Sequence, residues 1–152
     1  MLAGALGAMT PGPSATGSAG TICAASATPL MFGVLSVEPG LLEESSASIE
    51  VTCETLSEAP IPLSVVVEPL IVGLPVEARS AEGRAMRYAL FTDPARTRPF
   101  DGSFNGRLTA TGSAARNQRF HAMFTVYARV TQRSASMSAG SYLDQVQIRL
   151  TY

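Results

Sequence analysis

Between Phe120 and Val130 every second residue is apolar. Phe120, Ala122, Phe124, Val126, Ala128 and Val130 fall on one side of the run "RFHAMFTVYARV". A chain repeating with period two presents alternate side chains to opposite faces, so this stretch is a strand buried on one face rather than a helix. The last residues repeat the pattern: Val146, Ile148, Leu150 and Tyr152 are separated by Gln147, Arg149 and Thr151. In "ASIEVTCE", Ile49, Val51 and Cys53 oppose Glu50, Thr52 and Glu54. Further candidates are "TPLMFGVLSV" behind Pro29, "IPLSVVVEPLIVGL", "AMRYALFT" with Met86, Tyr88 and Leu90 on one face, and "GRLTATG". The run "IPLSVVVEPLIVGL" is apolar on both faces, as a strand near the centre of a sandwich would be, and its Pro69 and Gly73 mark turns or bulges. "EARSAEGR" reads as a polar loop, and "DPARTRPFDGSFNG" as a connection rich in tight reversals. About seven short strands at this spacing, with no helical repeat among them, predict an all-β two-sheet sandwich.

At 152 residues the chain has room for one domain with a sizeable core. Residues 1–20, rich in Gly, Ala, Pro and Ser, read as a leader, a signal-peptide remnant or a flexible arm, and residues 21–152 as the folded domain. "MLAGALGAM" resembles the end of a signal-peptide core and "SATGSAG" offers small-residue cleavage sites. A basic region before them is missing, which a truncated gene start would explain. No other segment approaches the roughly 18 apolar residues of a membrane span, so none is expected in the mature form. Net charge is −1 and the eleven cationic residues are scattered arginines, which argues against nucleic acid as a partner.

Two cysteines, Cys23 and Cys53, lie thirty positions apart with one histidine elsewhere, too few ligands for zinc. The residues favour a disulfide, which would stabilise the fold by about 3 to 4 kcal/mol in the chain-entropy model and requires an oxidising compartment. Two unrelated buried thiols are the alternative. His121 lies within a strand, without a nucleophile elbow nearby, and reads as a surface or hydrogen-bonded strand histidine rather than a catalytic one. "DGSFNG" mimics the start of a calcium loop through Asp101, Ser103 and Asn105, but Gly112 stands where a bidentate Glu is needed, so a β-turn is the simpler reading. Asp93, Asp101 and Asp144 occupy turn-like or strand-start contexts and give no glycosidase pair. No catalytic residues, no metal and no cofactor are therefore expected.

The edges of the sheets remain. The C-terminal strand would lose about 2 to 4 kcal/mol if even a third of its apolar side chains lacked a neighbour, a large part of a typical domain stability. A partner strand is expected to cover it. The alternative is that the N-terminal strand of the same chain does so, as in complete sandwiches.

The segments "CAASATPLMFG", "IEVTCE", "YALFTDPARTRPFDG", "VYARV" and "AGSYLDQVQIRLTY" occur in an order that resembles the spore coat protein U domain family, which includes subunits of archaic chaperone-usher pili. The resemblance covers residues 23 to 152. It implies an immunoglobulin-like Greek-key β-sandwich that is incomplete, missing its last strand, with a disulfide from Cys23 to Cys53. It also implies a secreted subunit passing through the periplasm to the cell surface, a fimbrium or a spore coat. A periplasmic pilus chaperone and usher, and neighbouring pilin or coat subunits joined by strand addition, would be its partners. The donor-strand groove would be flanked by Leu30 and Phe32 and by Val146, Ile148, Leu150 and Tyr152. Two features depart from the family pattern. "TPGPSATGSAGT" lacks alternating bulky apolar residues, so the chain is expected to accept a strand rather than donate one; and Phe100 stands where the family often has tryptophan, with a short loop at Arg79. A second reading is a self-contained secreted binding module or adhesin tip, for which Tyr88, Phe91, Phe100, Phe104 and Tyr127 would have to supply an exposed aromatic cluster.

Overall fold

The structure, a computed structural model, describes residues 6–11, 20–32, 43–70, 76–80, 83, 85–133 and 142–152. Ten strands and no helix occur among them: β1 (Leu6–Pro11), β2 (Thr21–Ala27), β3 (Leu30–Met31), β4 (Glu44–Thr55), β5 (Ile61–Pro69), β6 (Val76–Ser80), β7 (Ala85–Phe91), β8 (Leu108–Ala114), β9 (Phe120–Arg133) and β10 (Tyr142–Thr151). The all-β expectation is met. One layer runs β2-β4-β9-β7-β6, every pair antiparallel. The other runs β8-β5-β10-β1-β3, antiparallel except for β1 beside β10. A two-residue pairing of Tyr142 and Leu143 with Ser80 and Arg79 joins the layers at one margin.

The inward faces carry the core. Ile49, Val51 and Cys53 of β4, Met86, Tyr88 and Leu90 of β7, and Val126, Ala128 and Val130 of β9 are buried from one layer. Leu63, Val65 and Val67 of β5, Leu108 of β8 and Val146, Ile148 and Leu150 of β10 are buried from the other. For β4, β7, β9 and β10 these are the positions the period-two pattern selects, whereas β5, expected to be apolar on both faces, buries Leu63, Val65 and Val67 on one and exposes Ser64 on the other. Outward positions carry charge pairs that suit the register: Glu44 opposite Arg129 with contacts of 2.8 and 3.0 Å, and Glu68 opposite Arg149 at 3.4 Å. Cross-strand opposite charges of this kind favour one alignment over a slipped one, although each exposed pair adds at most about 1 kcal/mol.

Two expectations change. "EARSAEGR" is not wholly a loop, because β6 takes Val76 to Ser80 and buries Val76 and Ala78. Its Glu77 pairs with Arg79 and with Arg87 of β7, so the polar texture belongs to an outward face and not to a turn. The strand expected behind Pro29 shortens to β3, with Gly33 to Val37 outside the described residues, and Thr21 to Ala27 forms β2 ahead of it. Pro29 supplies no N–H to a ladder. Between Ala27 and Leu30 the chain leaves the β4 ladder for the other layer, held at the crossing by Thr28, whose N–H donates to the Ser48 carbonyl and whose Oγ1 accepts from the Ser48 N–H. Residues 1–20, read as a leader or arm, include β1, and a strand there is compatible with either reading. Of the run after β5, Pro69 ends that strand and Gly73 lies outside the described residues.

Candidate strand-docking site

Strand β10 has two edges. On one, Ile148 to Thr151 pair with Pro69 to Val66 of β5, Tyr142 and Leu143 pair with β6, and the Leu70 N–H donates to the Gln147 carbonyl at 2.8 Å. On the other lies β1, parallel, with Leu6 to Pro11 aligned to Leu143 to Ile148. Leu6 and Gly7 also pair antiparallel with Met31 and Leu30. A slot one strand wide thus separates β10 from β3, and it is filled along six residues by the chain's own N-terminal segment.

The residues expected to flank such a slot are brought together there. Leu30 and Phe32 are buried on the β3 side, and Val146, Ile148 and Leu150 on the β10 side, all in one apolar cluster with Tyr152 packed partly against it. Phe32 meets Tyr88 of the facing layer edge-on, ring centroids 5.7 Å apart, which fixes the β3 wall to the opposite sheet. The pairing with β1 stops at Ile148, so Arg149 to Tyr152 extend beyond it on that edge. Chemically the slot offers main-chain donors and acceptors along β10 and an apolar floor, the requirements for accepting an extended polypeptide.

The expectation that a partner strand covers this edge gives way here to its alternative, a segment of the same chain, although the sequence does not single out residues 6–11 for that place. The segment "LGAMTP" has one long apolar residue after Leu6, so its period is too faint to see. Proximity to an edge strand is a property of the fold and has no local signal.

The other candidate residues divide clearly. Cys23 and Cys53 are directly opposed in the β2–β4 ladder and joined by a disulfide. His121 is half exposed on the outer face of β9, its Nε2 2.8 Å from Glu50 Oε1. Asp101 accepts from the Ser103 N–H at 2.9 Å within a turn closed by the Gly106 N–H donating to the Ser103 carbonyl. Those hydrogen bonds from Ser103, side chain first and backbone second, hold its carboxyl below the ordinary aspartate value despite some desolvation. A Cβ on Gly106 would stand 1.9 Å from that carboxylate and 2.6 Å from the Pro99 carbonyl, so the loop closes only around glycine. Among the described residues no group of three His, Cys, Asp or Glu could hold a metal ion. Of the five aromatics that a binding face would need, Tyr88 and Phe100 are in the core, and Phe104 alone is strongly exposed, at 80%.

The family model of the Spore Coat Protein U domain matches residues 13–149, most of the chain. The chain belongs to that family. No curated protein matches it. The Spore Coat Protein U match begins after β1 and takes in the β3 wall and the β10 wall as far as Arg149, so the strand that fills the slot comes from residues ahead of the matched span. The family points to a structural fibre or coat subunit rather than an enzyme, and the disulfide is consistent with a location outside the cytoplasm. No helix among the described residues is long and apolar enough to cross a membrane.

Proposed function

We propose that this chain is a secreted, non-enzymatic subunit of a surface fibre or spore coat, delivered through the periplasm by a pilus chaperone and usher and joined to neighbouring subunits by strand addition. The observation that carries this reading is the slot between β10 and β3, whose walls lie within the Spore Coat Protein U match as far as Arg149 while its filling strand precedes that match. Leu30, Phe32, Val146, Ile148, Leu150 and Tyr152 are its groove residues in this proposal. Main-chain pairing along β10 supplies affinity, and alternate side chains of the incoming strand supply specificity. The disulfide suits passage through an oxidising compartment.

Incubating the purified chain with a fluorescein-labelled peptide of alternating Val and Thr, flanked by Lys, tests the reading. Uptake that raises Tm by several degrees and protects the β10 amides is the expected result. A chain that takes up no peptide, even with residues 2–11 removed, is no strand acceptor.

A further inference from the structure

We infer that residues Leu6–Pro11, in a chain that keeps them as an N-terminal arm, are a displaceable plug, an autoinhibitory strand that closes the chain's own slot until a better strand replaces it; this rests on the strand-acceptor reading above. Three features of the segment set it apart from a permanent strand of the sandwich. First, it runs parallel to β10, while every other pairing in the two layers is antiparallel. Parallel ladders are slightly weaker per residue. Second, the register aligns Gly7, Met9 and Pro11 with Asp144, Val146 and Ile148. Val146 and Ile148 are core residues, and the positions beside them hold one long apolar residue and one proline. A glycine in a strand adds no packing, and a proline donates nothing to the ladder. Third, β1 covers the edge of β10 incompletely. Its register ends at Ile148, and among the described residues none pairs with Arg149 to Thr151 on that edge, where an incoming strand can begin to pair.

The plug nevertheless does two things. It satisfies the β10 edge, which would otherwise offer itself to any strand, and through Leu6 and Gly7 it holds Met31 and Leu30 of β3 in the sheet. A chain closed this way stays a monomer. It opens when a strand with larger apolar residues, starting at the C-terminal end of β10 beyond Ile148, displaces β1 toward Leu143.

A nitroxide on Thr10→Cys in the full chain, with the native disulfide intact, reads the arrangement directly. Amide signals of Val146 to Ile148 should broaden most, and mixing labelled chain with unlabelled isotope-enriched chain should give no broadening. Uptake of the alternating Val-Thr peptide should then be about ten-fold faster in the double variant Gly7→Pro, Ala8→Pro, as loss of about 1.4 kcal/mol of plug pairing gives. Peptide should also remove the broadening in the singly labelled chain. Broadening centred elsewhere, broadening between molecules, or equal uptake rates would overturn the plug. A chain with the expected broadening that never takes up peptide, plugged or unplugged, overturns the acceptor function instead and leaves the plug a fixed strand.

Discussion

Asp93 is one of the few buried polar residues among those described, and it organises the longest connection between strands. Burial alone would push its carboxyl up. The Arg98 N–H, the Thr97 hydroxyl and the Thr97 N–H all donate to it, at 2.8, 2.8 and 3.0 Å, and together they outweigh burial and hold it below the ordinary aspartate value. Its carbonyl also accepts the Arg96 N–H at 3.0 Å, closing a turn with Pro94 at the second position, where a fixed φ suits it. Arg96 follows at φ 56° and bolts the loop to the sheet. Its Nε donates to the Ala128 carbonyl at 3.2 Å, its guanidinium meets Glu44 at 3.1 Å, and it lies over the Tyr127 ring. A group whose folded pKa is depressed stabilises the protein above its unfolded value and loses that stabilisation as pH falls through the folded one. Asp93→Asn should therefore lower Tm by a constant amount at pH 5 and above, about where a free aspartate is fully ionised. Below about pH 4 the gap to the parent should close, and thermal melts from about pH 2 to 8 check it. A gap that widens in acid would contradict the hydrogen-bonding account.

Among the elements, β2 depends most on a covalent tie. It is an edge strand whose one ladder is with β4, its residues are small, and its burial alternates between partial and none after Thr21. Replacing Cys23 and Cys53 by Ala should cost about 3 to 4 kcal/mol. Hydrogen exchange should show β2 amides losing protection before those of β4 and β9. Equal loss in all three would mean that the bond stabilises the sandwich globally. Which elements the sequence reveals follows from side-chain size. Strands β4, β9 and β10 alternate Val, Ile, Leu and Phe with charged or polar residues, so their period is visible and their core faces match the structure. Strand β6 alternates Val76 and Ala78 with Glu77 and Arg79, and one small apolar residue between charges looks like a loop. Strands β1 and β2 are built from Gly, Ala, Ser, Thr and Cys around few large residues, so only the neighbours they meet in the fold make strands of them. The strands on either side of the slot are legible because β10 is strongly periodic and Leu30 and Phe32 lie within the resemblance segment "CAASATPLMFG". The occupant is not, since pairing across more than a hundred residues leaves no local trace.

On the scale of the whole molecule, both margins of β10 pair with segments of one chain, the β1 side as far as Ile148. Folding of such a unit is unimolecular. Its Tm should be unchanged over about a hundred-fold range of concentration, whereas closure by a second copy would make Tm rise with concentration. Calorimetry at both ends of that range, with light scattering for molecular mass, separates the two. The outer faces fit a particle that meets others through its edges: exposed carboxylates are matched by nearby cations, as in Glu54 with Arg119 at 2.7 Å and Glu58 with Arg116. What distinguishes the molecule is the unmatched direction of one strand in an otherwise antiparallel layer.

The cystine between Cys23 and Cys53 also limits how far the N-terminal segment can travel once it lets go. Pro11 and Cys23 are twelve residues apart in the sequence, so even fully stretched the tether spans about 40 Å. A released end leashed that tightly remains at millimolar effective concentration beside its own berth. Any rival from outside must win by slow departure rather than by abundance, which makes the assembled state persistent and the lone subunit quick to reseal.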